Sequence, residues 1–248
     1  MKPSLFFTSI FFSASLAFAE TPTNYAIQPV LHPGTEKRHE SFNEISKKGE
    51  AQLVFLGDSI THGWDRPGTG KEIWEKYWAP LKAANFGIGG DRTEHVLWRL
   101  VNGNFDGLNP KLVVLMIGTN NTGHQGRPQK ELEGATYQCT AQQTAEGVKT
   151  ILEKLNTKCP SAKVLVLGIF PRGANAEDKM RQQNETTNSI VKGYADGKKV
   201  FFLDISAKFL EPDGTLSKEI MPDLLHPNAK GYEIWAQAIE SRVAELLK

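Results

Sequence analysis

Cysteine is almost absent from this sequence: Cys139 and Cys159 are the only two among 248 residues. That is too few for the disulfide-dense scaffolds of small secreted domains. The segment between them reads as a helix of about 16 residues, and at about 1.5 Å per residue its ends lie more than ~20 Å apart. A disulfide tolerates only ~7 Å between Cα atoms, so two free or buried thiols are expected. Charge of a dominant sign is lacking as well, with 29 basic residues against 28 acidic ones and no like-charged run. This excludes the electrostatic footprint of a nucleic-acid or anionic-membrane binder. His32, His39, His95 and His124 show neither HExxH nor paired spacing, so neither a metal nor another cofactor is expected. Internal repeats, low-complexity tracts and interdomain linkers are also missing.

Long apolar runs are confined to the start. Lys2 precedes an apolar stretch from Leu5 to Phe18 that ends in the small-x-small pattern Ala17-Phe18-Ala19. With its several Ser and Thr it falls short of the roughly 20 apolar residues that span a bilayer and matches a secretory leader. The expectation is a signal peptide over residues 1–19, cleaved after Ala19, and export to the periplasm or the medium without stable membrane insertion. Without that segment, which carries Lys2 and no acid, 28 basic side chains balance 28 acidic ones.

What the rest of the chain does have is alternation. After a polar, Pro-containing lead to about Arg38, five short apolar runs are each followed by an amphipathic stretch, as in a parallel sheet covered by helices. The strands are Gln52–Leu56, Ala83–Phe86, Leu112–Ile117, Val164–Ile169 and Val200–Leu203, none containing proline. Helices are predicted over about Arg92–Val101, Ala141–Leu155, Asp178–Tyr194 and Asn228–Leu247. The fold class is therefore α/β, a three-layer α/β/α sandwich of flavodoxin-like topology with a five-stranded parallel sheet, in one domain over residues 20–248. Right-handed crossovers place ligands at the carboxyl edge of such a sheet.

Four loops at that edge carry chemistry. Gly57-Asp58-Ser59-Ile60 follows the first strand, where a serine can present its Oγ and its own N–H to one point, as an acyl-transfer nucleophile requires. Taken alone, Ser59 reads equally well as a helix N-cap. Asp223-Leu224-Leu225-His226 precedes the last helix. Its three-residue spacing lets the carboxylate hold Nδ1 while Nε2 takes a proton, although in isolation it is also a plain Asp-capped turn. In Asn85 to Asp91, glycines after the second strand allow close backbone approach, and the Gly90 N–H can point into the cleft. A dinucleotide fingerprint fails there because Arg92 stands where a glycine is needed. Gly118-Thr119-Asn120-Asn121, otherwise an ordinary turn, offers an amide donor after the third strand. His62 and Arg172 read as structural or bracing residues near the cleft, and the stretch Thr61–Lys71 as a polar rim.

Ser, Gly, Asn and His in this order at successive strand ends resemble the SGNH, or GDSL, hydrolase family from about Leu53 to Tyr232. Within it the chain resembles the catalytic α subunits of intracellular platelet-activating factor acetylhydrolase. The likeness rests on Asn85–Asp91, His95–Leu100, Gly118–Asn121, Leu167-Gly168 with Pro171-Arg172-Gly173, and Asp223–His226. It implies Ser59 as nucleophile, His226 as general base, Asp223 as its partner, and an oxyanion hole of the Ser59 and Gly90 N–H groups and the Asn120 side chain. Hydrolysis of short, acetyl-type esters through an acyl-serine is the expected reaction, with O-acetyl groups on an extracellular glycan as the leading substrate and a homodimer as one possible assembly. A lysophospholipase or thioesterase, or a glycan-binding protein with a dead site, are the alternatives.

Overall fold

The computed structural model describes residues 23–248, so the signal-peptide expectation lies outside the described residues. Among those, no helix is long and apolar enough to cross a membrane.

Five parallel strands form one sheet: β1 (Leu53–Gly57), β2 (Ala83–Gly87), β3 (Leu112–Met116), β4 (Lys163–Leu167) and β5 (Val200–Leu203). They pair in the order β2-β1-β3-β4-β5, so the flavodoxin-like reading holds. In β1, alternate side chains serve opposite cores. Val54 and Leu56 join the layer built on Phe42, Leu97, Val148 and Ile151, while Leu53 and Phe55 face Trp64, Trp78, Trp235 and Ile239. A strand covered on both faces has no polar face, which is why these runs read as continuous rather than alternating.

The long helices fall close to expectation: α4 (Thr93–Val101), α6 (Ala141–Lys158), α7 (Lys179–Lys192) and α8 (Ala229–Leu246). Thr140 and Gln143 form a capping box at the start of α6, and Asp178 and Asn228 cap α7 and α8; each satisfies backbone N–H groups that a helix start leaves without partners. Trp235 sits among aromatic rings, with centroids 4.7 Å from Trp64 and 5.0 Å from Phe170; truncating such a residue to alanine costs about 3–5 kcal/mol. Cys139 and Cys159 are both free and buried, as the helix between them required.

Besides short helical turns at the strand ends, two helices were not anticipated. The polar lead gives way to α1 (Glu36–Lys48), which buries only His39, Phe42 and Ser46. Polar residues at two of the three core-facing places hide its period. The second is α3 (Lys71–Tyr77). The polar-rim reading of Thr61–Lys71 also needs correction, because Trp64 within it is fully buried in the aromatic core.

Candidate active site

Four of the loops singled out in the sequence meet at the carboxyl edge of the sheet. After β1 the chain turns directly into the short helix α2 (Ser59–His62), with Asp58 rather than Ser59 as the N-cap. Asp58 Oδ1 accepts the Ile60 N–H at 3.0 Å, which frees the Ser59 hydroxyl from capping. The turn is so tight that a methyl group on Gly57 would lie 2.3 Å from Thr61 Oγ1 and 2.4 Å from the Met116 carbonyl; only glycine fits.

Ser59 Oγ lies 2.9 Å from His226 Nε2, and His226 Nδ1 lies 2.7 Å from Asp223 Oδ2. Oδ1 of the same carboxylate accepts the backbone N–H groups of Leu225 and His226 at 3.1 and 2.7 Å. The capped turn and the Asp223–His226 hydrogen bond thus coexist in this tetrad, and the turn is what aims the pair. Burial pushes the Asp223 carboxyl up, but the hydrogen bonds from the His226 ring and backbone outweigh it and hold the carboxyl below its ordinary range. Leu224 adopts a left-handed φ of 60°, held by its N–H to Met221 and its carbonyl from the Gly173 N–H. Such strain in a branched residue persists only where surroundings enforce it. Tyr232 on α8 donates its hydroxyl to the Ile60 carbonyl at 2.6 Å, tying the helix behind His226 to the helix that carries Ser59. Nothing in the sequence pattern separated this tyrosine from ordinary core.

Opposite His226 lies the Gly89-Gly90-Asp91 turn. A methyl on Gly89 would sit 3.8 Å from Ser59 Cβ, and Gly90 has φ +83°. His62 Nδ1 accepts the Gly89 N–H at 3.2 Å, so His62 braces the turn, as its structural reading expected. Burial, aided by Arg38 and Arg66, lowers its pKa to about 4, so the ring is neutral and able to accept. Asn120, in the short helix α5 (Thr119–Gly123), donates one amide N–H to the Asp91 carbonyl at 2.9 Å. This fixes the amide plane and leaves its second N–H without an acceptor among the described residues. The Ser59 and Gly90 N–H groups are likewise without protein acceptors there. Arg172 donates to the Thr119 carbonyl at 2.9 Å, bracing α5 rather than reaching into the cleft through that group.

Sequence reasoning missed the ion pair beneath these loops. The Asp91 carboxylate, fully buried, receives Arg99 Nε at 2.9 Å and His32 Nδ1 at 2.9 Å. The Arg99 guanidinium also donates to the Phe86 and Gly57 carbonyls at 3.2 and 3.4 Å, so one cation joins the chain just before Ser59 to the residue just after Gly90. A charged side chain among the apolar residues Val96, Leu97 and Leu100 of α4 was the available signal. His32, Asp91 and His95 do converge, within 4.8 Å of one another, which spacing could not show. Two of the three are committed, however: His95 Nδ1 accepts the Arg92 N–H at 3.0 Å, and Asp91 is held by Arg99 and His32. The donor set suits a hydrogen-bonded cluster rather than a cation. A cavity of about 630 Å³ lies between α1, α3 and the edge strand β2, lined by Phe42, Trp74 and Ala84; its lining includes no residue of the Ser59 cluster.

Fold and cluster together define an α/β hydrolase with a serine at a strand end, and the comparisons agree. The chain belongs to the GDSL-like lipase/acylhydrolase family, whose model matches residues 55–234, and it is a carboxylic ester hydrolase. It is 39% identical over 210 residues to human platelet-activating factor acetylhydrolase IB subunit alpha1, covering 84% of this chain and 82% of that protein. To the rat alpha2 subunit it is 35% identical, covering 85% and 84%. Among solved structures, a GDSL-like lipase from Bacteroides thetaiotaomicron superposes with TM-score 0.65 at 22% identity, over 84% of this chain and 97% of that one. An acetylxylan esterase from Geobacillus stearothermophilus gives TM-score 0.58 at 22% identity, over 81% and 96%.

Proposed function

We propose that this chain is an exported esterase that removes short acyl groups, acetyl above all, from hydroxylated carriers such as glycans, using Ser59, His226 and Asp223. The carrying observation is the unbroken hydrogen-bonded series Ser59 Oγ, His226 Nε2, His226 Nδ1, Asp223. Ser59 Oγ attacks the ester carbonyl and its proton passes to His226 Nε2, while Asp223 stabilises the imidazolium. The carbonyl oxygen becomes an oxyanion received by the Ser59 and Gly90 N–H groups and the second N–H of Asn120; each such donor is worth about 3 kcal/mol in the transition state. Collapse breaks the ester C–O bond as His226 returns the proton to the leaving alcohol. Water, deprotonated by the same histidine, then cleaves the acyl-serine.

Support for the small acyl group comes from relatives named acetylhydrolases and from the fold of an acetylxylan esterase. Support for a bulky leaving group comes from the openness of the dyad: the Asp223 and His226 side chains are 57% and 36% exposed. In this reading one catalytic domain over residues 20–248 follows a leader over residues 1–19, and the secreted protein begins at Glu20. The names of the acetylhydrolase relatives favour a second reading, in which the acetyl carrier is a lipid. A substrate series decides between them: nitrophenyl esters from two to sixteen carbons, an acetylated xylo-oligosaccharide, and an acetylated lysophospholipid below and above micelle formation. The proposal expects kcat/KM to fall beyond four carbons and the acetylated sugar to be cleaved. Each further CH₂ in a true acyl groove would add about 0.8 kcal/mol, so a steady rise toward long chains, or activity confined to the lipid, overturns it.

A further inference from the structure

The three donors assigned to the oxyanion come from three separate loops: Ser59 after β1, Gly90 after β2 and Asn120 after β3. A misplacement of about 1 Å in such a group can cost about a hundredfold in rate, so the loops must be held in register. One residue is bonded to two of them and, through Arg99, to the third. Asp91 follows Gly90 in the chain, and its N–H to the Ile88 carbonyl, at 3.2 Å, closes the turn that carries Gly90. Its own carbonyl accepts the Asn120 amide at 2.9 Å. Its carboxylate holds Arg99, whose guanidinium donates in turn to the Phe86 carbonyl in β2 and to the Gly57 carbonyl, two residues before Ser59.

Asp91 does not act on the substrate itself. Its side chain is fully buried, and both carboxylate oxygens are engaged: Oδ2 takes Arg99 Nε at 2.9 Å, and Oδ1 lies 2.9 Å from His32 Nδ1. Stability does not explain the pair either, since replacing a buried ion pair by apolar groups of like volume is often neutral or better. What an apolar pair cannot do is hold backbone carbonyls at fixed directions. The planar fork of Arg99 does this, with Nη1 on the Phe86 carbonyl at 3.2 Å and on Asn104 Oδ1 at 3.1 Å, and Nη2 on the Gly57 carbonyl at 3.4 Å. Asn104 is fixed in turn by its bond to Asn43 Oδ1 of α1 at 2.7 Å, so the guanidinium is anchored from behind. Lysine, a point charge on a flexible stem, would keep only part of this arrangement.

We propose that Asp91, gripped by Arg99, is the positioning residue of the oxyanion hole and sets the Gly90 N–H and the Asn120 amide against the Ser59 N–H. This inference rests on the oxyanion reading above. The first test is Arg99→Lys, which keeps a cation beside Asp91 and gives up the fork. Its kcat on nitrophenyl acetate is expected to fall about tenfold at nearly constant KM, because a misplaced oxyanion donor is felt only in the transition state. A trifluoromethyl ketone, whose serine adduct carries an oxyanion, should bind about tenfold more weakly. Asp91→Asn together with Arg99→Met, which leaves no unpaired buried charge, should lower kcat about a hundredfold. The deciding readout is a cycle with Asn120→Ala. If Asp91 works through Asn120, Arg99→Lys costs only about threefold once the amide is gone, whereas a residue that merely stabilises the fold gives the same loss in both backgrounds. Thermal midpoints identify a variant that has not folded, and the cycle then runs on the other. Equal losses in the two backgrounds, or kcat within twofold of wild type in a folded variant, overturn the proposal. If Asn120→Ala itself keeps kcat within threefold of wild type, the oxyanion reading falls and this inference with it, an outcome distinct from a full Asn120 effect that ignores Arg99.

Discussion

Replacing Gly90 by alanine separates backbone strain from catalysis in one experiment. Gly90 has φ +83°, and its added methyl would stand 2.9 Å from His32 Cε1. A side chain in the left-handed region costs about 1–2 kcal/mol, and the clash is closer than real contacts allow, so the turn or His32 must move. The Gly90 N–H then leaves the position that the proposed oxyanion hole requires of it, and loss of one such donor costs about 2.7–4 kcal/mol, or a hundred- to a thousandfold in kcat. Gly197 is the matched control: it has φ +68° and nothing within 4 Å of an added methyl. Gly197→Ala is therefore expected to lose the same 1–2 kcal/mol, read as a fall in Tm of about 2–8 °C for a chain of this size, with kcat unaltered. Gly90→Ala should show at least that loss of stability together with the collapse of kcat on nitrophenyl acetate, KM changing little. Full kcat in Gly90→Ala would refute the assignment of its N–H to the oxyanion; equal kcat losses in both variants would refute the claim that geometry rather than strain is responsible.

Other outcomes follow from the same geometry. Ser59→Ala and His226→Ala should each cut kcat by about 10⁴- to 10⁶-fold with unchanged circular dichroism, and the double variant should lose no more than either, since the groups act as one unit; more than a tenth of wild-type activity in Ser59→Ala would remove it as nucleophile. Asn120→Ala should lower kcat about a hundredfold at nearly constant KM, whereas a rise in KM alone would recast Asn120 as a substrate anchor. Burial, with the Asp91 charge nearby, raises the Asp58 carboxyl from 3.8 to about 7. Between those values the folded chain holds a proton that the unfolded chain has released, so stability falls as pH rises through that window, by up to about 4 kcal/mol. Asp58→Asn retains the N-cap and removes this dependence, so urea midpoints of wild type and variant should diverge from pH 4 to pH 8; parallel curves would show that Asp58 ionises normally.

Strand identity, the topology and the candidate serine, histidine and aspartate could all be read from the sequence, and for a local reason. A buried parallel strand must be a short apolar run, and a loop that brings backbone close to a ligand must carry glycine, so β1 to β5 and the glycines at 57, 90 and 118 declare themselves within a few residues. The cysteines fall under the same rule, since helix length alone kept them apart. Helix α1 was hidden because His39 and Ser46 face the core through hydrogen bonds, His39 to Asn104 and Ser46 to Phe42 and Phe105, and a polar residue satisfied at long range leaves no apolar period to read. The same reason conceals the supports of the site. Arg99 reaches Gly57 across 42 positions, Tyr232 reaches Ile60 across 172, and His32 meets Asp91 across 59. Which nitrogen of His124 bears its proton is likewise decided by Arg92, a residue 32 positions away that is brought beside it only by folding. The types of the reacting groups follow from the chain; their orientation, protonation and spacing follow from buried charges that only tertiary packing brings together, because a charge withdrawn from water must find its partner wherever the fold puts one.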